Sequence, residues 1–199
     1  MSPRHSASEA LQTKERIVSA GVALASVAGL EGITIGSLSQ ALQMSKAGVI
    51  GPFGAKSSLQ AAVLAHALNS FVHDVITPTL TEPRGLPRLL TVIDRWTAYL
   101  ADSPFPNGCF VTAASCELDG QPGPLRDQLR DAVTGWESFL ATQITAAKNN
   151  GALREDLDTD DVVATLVGLA MAANQRIQLF GDTNAANRTR RLMRATILT

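Results

Sequence analysis

The chain is poor in aromatic residues, in cysteine and in net charge, and it has no apolar run long enough to cross a bilayer. Phe, Trp and Tyr make up 5% of its 199 residues, while alanine and leucine are plentiful, a balance that favours helix over sheet. The longest apolar run, residues 162–173, falls short of the roughly 20 residues a spanning helix takes, so no membrane partner is expected. Two cysteines, and an N-terminus without the apolar core of a signal peptide, point to a reducing cytoplasm. A net charge of −1 argues against indiscriminate binding to polyanions. The charge is divided unevenly: residues 1–60 carry +2 and the remainder −3. That polarity suits an N-terminal DNA reader, but the excess is small, so a dimer would help affinity.

What the chain does have is a globular composition, 45% hydrophobic and 18% charged, with length enough to bury a sizeable core. Its apolar residues recur with helical spacing. Ile17, Gly21, Leu24 and Ala28 predict a first helix over 11–28, after a polar start at residues 1–10. Leu59, Val63, Phe71 and Val75 predict one over 55–77, ended by Pro78; Leu89, Ile93, Trp96 and Leu100 predict another over 86–101. A short apolar helix is expected at 109–118. The stripe from Leu125 to Ile144 marks a long helix, and Asp158 caps one that runs to Phe180. A last helix carries Met193 and Ile197. No segment alternates with period two and no repeat appears. The expected fold is therefore all-α: a three-helix N-terminal head (residues 1–54) and a larger C-terminal bundle (55–199), about nine helices together.

The most informative stretch is residues 34–59, TIGSLSQALQMSKAGVIGPFGAKSSL. Thr34 can cap one short helix ending near Leu42, and Ser45 can cap a second, which must stop by about Gly51 because Pro52 follows. A tight turn at Gln43-Met44-Ser45 separates them. This is the order of a helix-turn-helix, whose second helix enters the DNA major groove. Lys46, the one charged side chain on that helix, could reach a phosphate or a guanine edge, or be a solvated lysine. Ser45, Ala47 and Gly48 are small enough for close approach, and Ala47 could touch a thymine methyl. Lys56 opens the next helix, where free backbone N–H groups can hold phosphate. Thr34 could contact phosphate as well as cap. Arg4, His5 and Lys14 could form a basic arm, though solvated side chains explain them as well.

With these residues in this order the chain resembles the TetR family of bacterial transcriptional regulators. The resemblance rests on Thr34, Ser45-Lys46, Val49-Ile50, Phe53, Lys56 and Leu59, and on the upstream segment KERIVSAGVALASVAGLEG, residues 14–32. It covers about the first quarter of the chain in specific residues, and the rest in helix number and length. Residues 105–110, FPNGCF, and the loop 120–124 are similar to one subgroup of ligand-binding regions. The resemblance implies a DNA-contact set of Thr34, Ser45, Lys46, Ala47, Gly48, Ile50, Phe53 and Lys56. It also implies an effector cavity among helices that carry Trp96, Phe105, Cys109, Phe110, Trp136, Phe139, Met171, Asn174 and Gln175. Most of these apolar residues could equally be plain core, but amides inside an apolar stripe need partners. The last two helices would pair across a two-fold axis through Val162, Leu166, Leu169, Ala173, Ile177 and Met193, with small residues such as Ala164 and Gly168 allowing close approach. The implied partners are an operator duplex, a small-molecule effector of unknown identity and a second copy of the chain; no cofactor is expected.

Cys109 and Cys116 would lie about 10.5 Å apart on a helix, too far to bridge, and inert thiols are the simplest reading. His66 and His73 are also seven apart, and no metal site is assigned. Glu117 is expected at the surface or in the cavity. No nucleophile–base pair, metal triad or phosphate loop stands at a meaningful spacing, which disfavours an enzyme. A dimeric small-molecule-binding protein with weakened DNA binding stays open, because the family usually has Tyr where Ile50 stands and often His where Pro52 stands. Ile50 cannot donate a hydrogen bond to phosphate. Ile50→Tyr should therefore tighten operator binding, measured as a binding isotherm; an unchanged affinity would show that this position is not a phosphate anchor.

Overall fold

The computed structural model describes residues 3–198, with side chains from residue 8 onward. The described residues form nine α-helices and no strand. Helix α1 (Pro3–Ala28) begins well before the expected residue 11. A proline in the first turn has no N–H to waste and a φ already suited to a helix, so the chain can start there. The Arg4 and His5 side chains, expected in a basic arm, lie outside the described ones. The buried face of α1 keeps Ile17 and Gly21 of the expected stripe and adds Val18, Val22 and Ala25, whereas Ala28 is exposed and Leu24 only half-buried. Gly21 sits where α1 crosses α4, and a Cβ there would stand 2.5 Å from Val63 Cγ2.

Helices α2 (Ile35–Leu42) and α3 (Lys46–Ile50) are each started by a side-chain cap. Thr34 Oγ1 accepts from the Ser37 N–H at 2.9 Å and Ser45 Oγ from the Gly48 N–H at 3.0 Å. Gln43 between them takes the left-handed conformation at φ 53°. Helix α4 (Lys56–Phe71) does not run on to Pro78 as α-helix. It widens into a π-helical turn, Val72–Ile76, and then tightens into a 3₁₀ turn, Thr77–Thr79, that contains the proline. Proline lacks an N–H and its ring crowds the carbonyl four residues earlier, so the regular ladder must yield before it. The remaining helices are α5 (Leu86–Ala101), α6 (Phe110–Leu118), α7 (Pro124–Asn149), α8 (Thr159–Phe180) and α9 (Ala185–Leu198). Asp158 caps α8 by accepting the N–H groups of Asp160 and Asp161.

Two apolar cores result. The first gathers Ile17, Leu30, Ile33, Leu38, Val49, Leu59, Val63 and Leu64 with Phe110, Ala114 and Leu118 of α6. The second gathers Phe71 and Val75 with Leu89, Ile93, Trp96, Leu140, Ile144, Leu166 and Met193. Helix α4 contributes to both, and α6 leans on the first while lying beside the second. Ile93 is fully buried in the second core. Ile93→Ala should cost about 2–5 kcal/mol of stability in chemical denaturation; a loss below about 1 kcal/mol would mean that the site collapses freely.

Candidate nucleic-acid interface and ligand cavity

Helix α3 presents a short outward face. Ser45, Lys46 and Ala47 are exposed, Gly48 and Ile50 half-buried, and Val49 is fully buried beneath them. That burial fixes which side of so short a helix looks outward. Thr34 is exposed at the start of α2. Phe53 is half-buried against the first core, and the Lys14 ammonium stands 5.5 Å from its ring centre. Ala55 precedes α4 and supplies no side-chain cap, so the helix's first N–H groups and the exposed Lys56 stand together. Lys56 Nζ is not idle: it donates to the Glu31 carbonyl at 3.1 Å and lies 3.6 Å from the Glu31 carboxylate.

Behind this face, side chains from two other helices hold the turn after α1. Gly29, at φ 79°, ends α1. The N–H groups of Leu30 and Glu31 then donate to the two carboxylate oxygens of Glu117 on α6, each at 2.9 Å. Gln60 Nε2 donates to the Leu30 carbonyl at 2.9 Å. The spacing of Glu117 gave no sign of this contact, which spans 86 and 87 residues of sequence.

A cavity of about 440 Å³ opens among α4, the π-helical turn, α5, α6, α7 and α8. Phe71, Val72 and Ile76 form one wall, Trp96 a second, and Cys109, Val111, Thr112 and Ser115 a third. Val133, Trp136 and Glu137 come from α7, and Val167, Ala170 and Met171 from α8. Trp136 is the centre of the aromatic wall. Its ring meets Phe71 edge-on at 5.1 Å and Trp96 edge-on at 4.9 Å, and stacks on Phe139 at 5.9 Å. The π-helical turn, unforeseen from the sequence, supplies Val72 and Ile76.

Of the residues expected here, Trp96, Cys109, Trp136 and Met171 line the cavity. Phe105 and Phe110 do not; they face each other at 5.9 Å and pack against the first core, because α6 turns that side toward the head. Phe139 stands behind Trp136. Gln175 is exposed. Asn174 is buried, but its Oδ1 accepts the Cys109 N–H at 2.9 Å, so its partner is backbone at the start of α6. On α8 and α9, Val162, Leu166, Ala173 and Met193 are buried within the subunit's own second core, and Leu169 and Ile177 pack against it. The apolar stripe of an amphipathic helix covers its own core first, which leaves a different set outward: Ala164, Gly168 and Ala172 with Leu179, Phe180, Leu192 and Leu198.

Burial raises the Cys109 thiol above its ordinary value. Burial, aided by Cys109 and Asp74, likewise raises the Tyr99 hydroxyl above its ordinary value. Cys116 is exposed, and both cysteines are free. No helix of the described residues is long and apolar enough to cross a membrane, and none of them gather three metal-ligating side chains.

A short capped reading helix set on a bundle that encloses a cavity is the plan of a helix-turn-helix transcriptional regulator. A family model for the tetracyclin repressor-like C-terminal domain matches residues 85–193, and the chain belongs to the TetR family of transcriptional regulators. No curated protein sequence matches it. Among solved structures it is similar to a TetR transcriptional regulator from Chloroflexus aurantiacus, with TM-score 0.87, 19% identity and 94% of each chain covered. It is also similar to one from Agrobacterium tumefaciens, with TM-score 0.82, 16% identity, 96% of this chain and 100% of that one. AibR, solved with isovaleryl coenzyme A and operator DNA, has TM-score 0.74 and 16% identity over 94% of this chain and 98% of that one.

The two thiols provide a direct check on the cavity wall. A thiol-reactive dye should modify Cys116 promptly in the native protein and Cys109 only on unfolding; two prompt thiols would contradict the burial of Cys109.

Proposed function

We propose that the chain is a homodimeric repressor, released from a palindromic operator by a small, largely apolar effector. Residues 1–54 read DNA and residues 55–199 bind the effector and dimerise. The observation that carries this reading is the outward face of α3, with Lys46 and Ala47 exposed, on a chain whose body encloses an apolar cavity. Lys46 reaches DNA, the small Ala47 and Gly48 let the backbone approach, and the uncapped start of α4 with Lys56 receives a phosphate. Thr34 and Ser45 cap their helices and hold this face in place. AibR, of the same fold, takes both an operator and an acyl coenzyme A, which supports pairing the two activities here.

The dimer forms through the outward face of α8 and α9, where Leu179, Phe180, Leu192 and Leu198 stay exposed on the single chain. Small residues on α8 let a second copy come close. A two-fold pair sets two reading helices one turn, or a few, apart along the duplex. The effector acts by favouring a state with the heads wrongly spaced. The rival reading, a dimeric binding protein with weakened DNA affinity, is favoured by Ile50, which has no hydrogen-bond donor.

Footprinting on the region upstream of its own gene should reveal a short palindrome. In the same assay Lys46→Ala should weaken binding and lower the slope of log K against log salt by about 1 per subunit. Absence of any sequence-selective, salt-dependent binding by the dimer would decide for the rival.

A further inference from the structure

We propose that Glu117 is the residue through which the cavity reaches the reading head. The proposal rests on the repressor reading and adds the path of its regulation.

Helix α6 has two faces. Thr112 and Ser115 stand in the cavity wall, whereas Ala114 and Leu118 are buried in the core of the head. Its first end is pinned, because the Cys109 N–H donates to Asn174 of α8 at 2.9 Å. Its far end carries Glu117, eight residues past Cys109 and so about 12 Å along by helix rise. A push on Thr112 and Ser115 from inside the cavity therefore swings the end that bears Glu117.

That end is tied to the head by a two-pronged, charge-assisted contact. One carboxylate accepts the N–H groups of Leu30 and Glu31, both at 2.9 Å, a strong and directional arrangement. The approach depends on Gly29: at φ 79°, a Cβ there would lie 2.8 Å from Glu117 Oε1. The carbonyls of the same two residues are held from α4, Leu30 by Gln60 at 2.9 Å and Glu31 by Lys56 at 3.1 Å. The N–H and carbonyl groups of Leu30 and Glu31 thus all have side-chain partners on the two helices that also border the cavity, and the Leu30 carbonyl also accepts the Ile33 N–H at 3.4 Å. Turns ordinarily satisfy such groups locally or with water. The turn leads through buried Ile33 to Thr34, the cap of α2, so a displaced turn re-aims the helix-turn-helix. Cavity and DNA are linked because each favours one position of α6.

The test fills the cavity by mutation and reads DNA binding and amide exchange. The probe is the duplex that the wild-type chain enriches from a random-sequence pool. Ser115→Phe, or Ser115→Leu if the larger residue prevents folding, pushes α6 from the cavity side. In wild-type background it should lower affinity for that duplex by about tenfold, within the usual range of allosteric coupling. In Glu117→Ala background the same change should alter affinity by less than about twofold. The Leu30 and Glu31 amides should exchange with solvent about tenfold faster or more in Glu117→Ala, since their acceptor is gone. If the wild type enriches no duplex, the repressor reading falls and this proposal with it. If a duplex is enriched but Ser115→Phe acts equally in both backgrounds, or has no effect, or the two amides exchange unchanged, the assignment to Glu117 alone is overturned.

Discussion

The architecture depends on α4 belonging to two cores. Its first half, with Leu59, Val63 and Leu64, closes the core under the helix-turn-helix; its last residue, Phe71, and Val75 just beyond it close the core of the larger bundle. A helix is stiff along its axis, so the head cannot be packed independently of the body. Gly21 tightens the head itself, since a Cβ there would stand 2.5 Å from a Val63 methyl of α4. The change from α- to π-helix at Val72 occurs just past the joint, where Pro78 forces the ladder to yield. One proline thereby ends a long helix and shapes a cavity wall.

The cavity follows from a mismatch between the helices that enclose it. Helices α5, α7 and α8 bring large side chains that pack well against one another lower in the bundle, where Ile93, Leu140, Ile144 and Leu166 are fully buried. Higher up, Trp136 meets Phe71 and Trp96 edge-on, and rigid rings in that arrangement leave space that flexible aliphatic side chains would fill. Glu137 is the one formal charge among the cavity's lining residues.

Most of the fold was legible because helical periodicity and caps are local. The number of helices, the caps at Thr34, Ser45 and Asp158 and the helix-turn-helix order all follow from neighbours within a few residues. Expectation and structure part where a residue's place depends on a distant partner. On α1 the buried face kept Ile17 and Gly21 but continued through Val22 and Ala25 instead of Leu24 and Ala28. The residues expected at a subunit interface proved to cover their own core, since a periodic stripe shows that a face is buried and not what buries it. Asn174, an amide within an apolar stripe, finds its partner in the backbone of Cys109, 65 residues away.

The sequence by itself determined most of the helices, the capped starts at Thr34, Ser45 and Asp158 and the helix-turn-helix order, because each is set by side chains bonding to backbone within a turn or two. Only the tertiary structure decided which aromatic rings frame the cavity and which residues of α8 and α9 stay outside. It alone brought Glu117 to Leu30 and Glu31. These are relations between segments far apart in the chain, and they exist only once two helices have packed at a particular angle and depth.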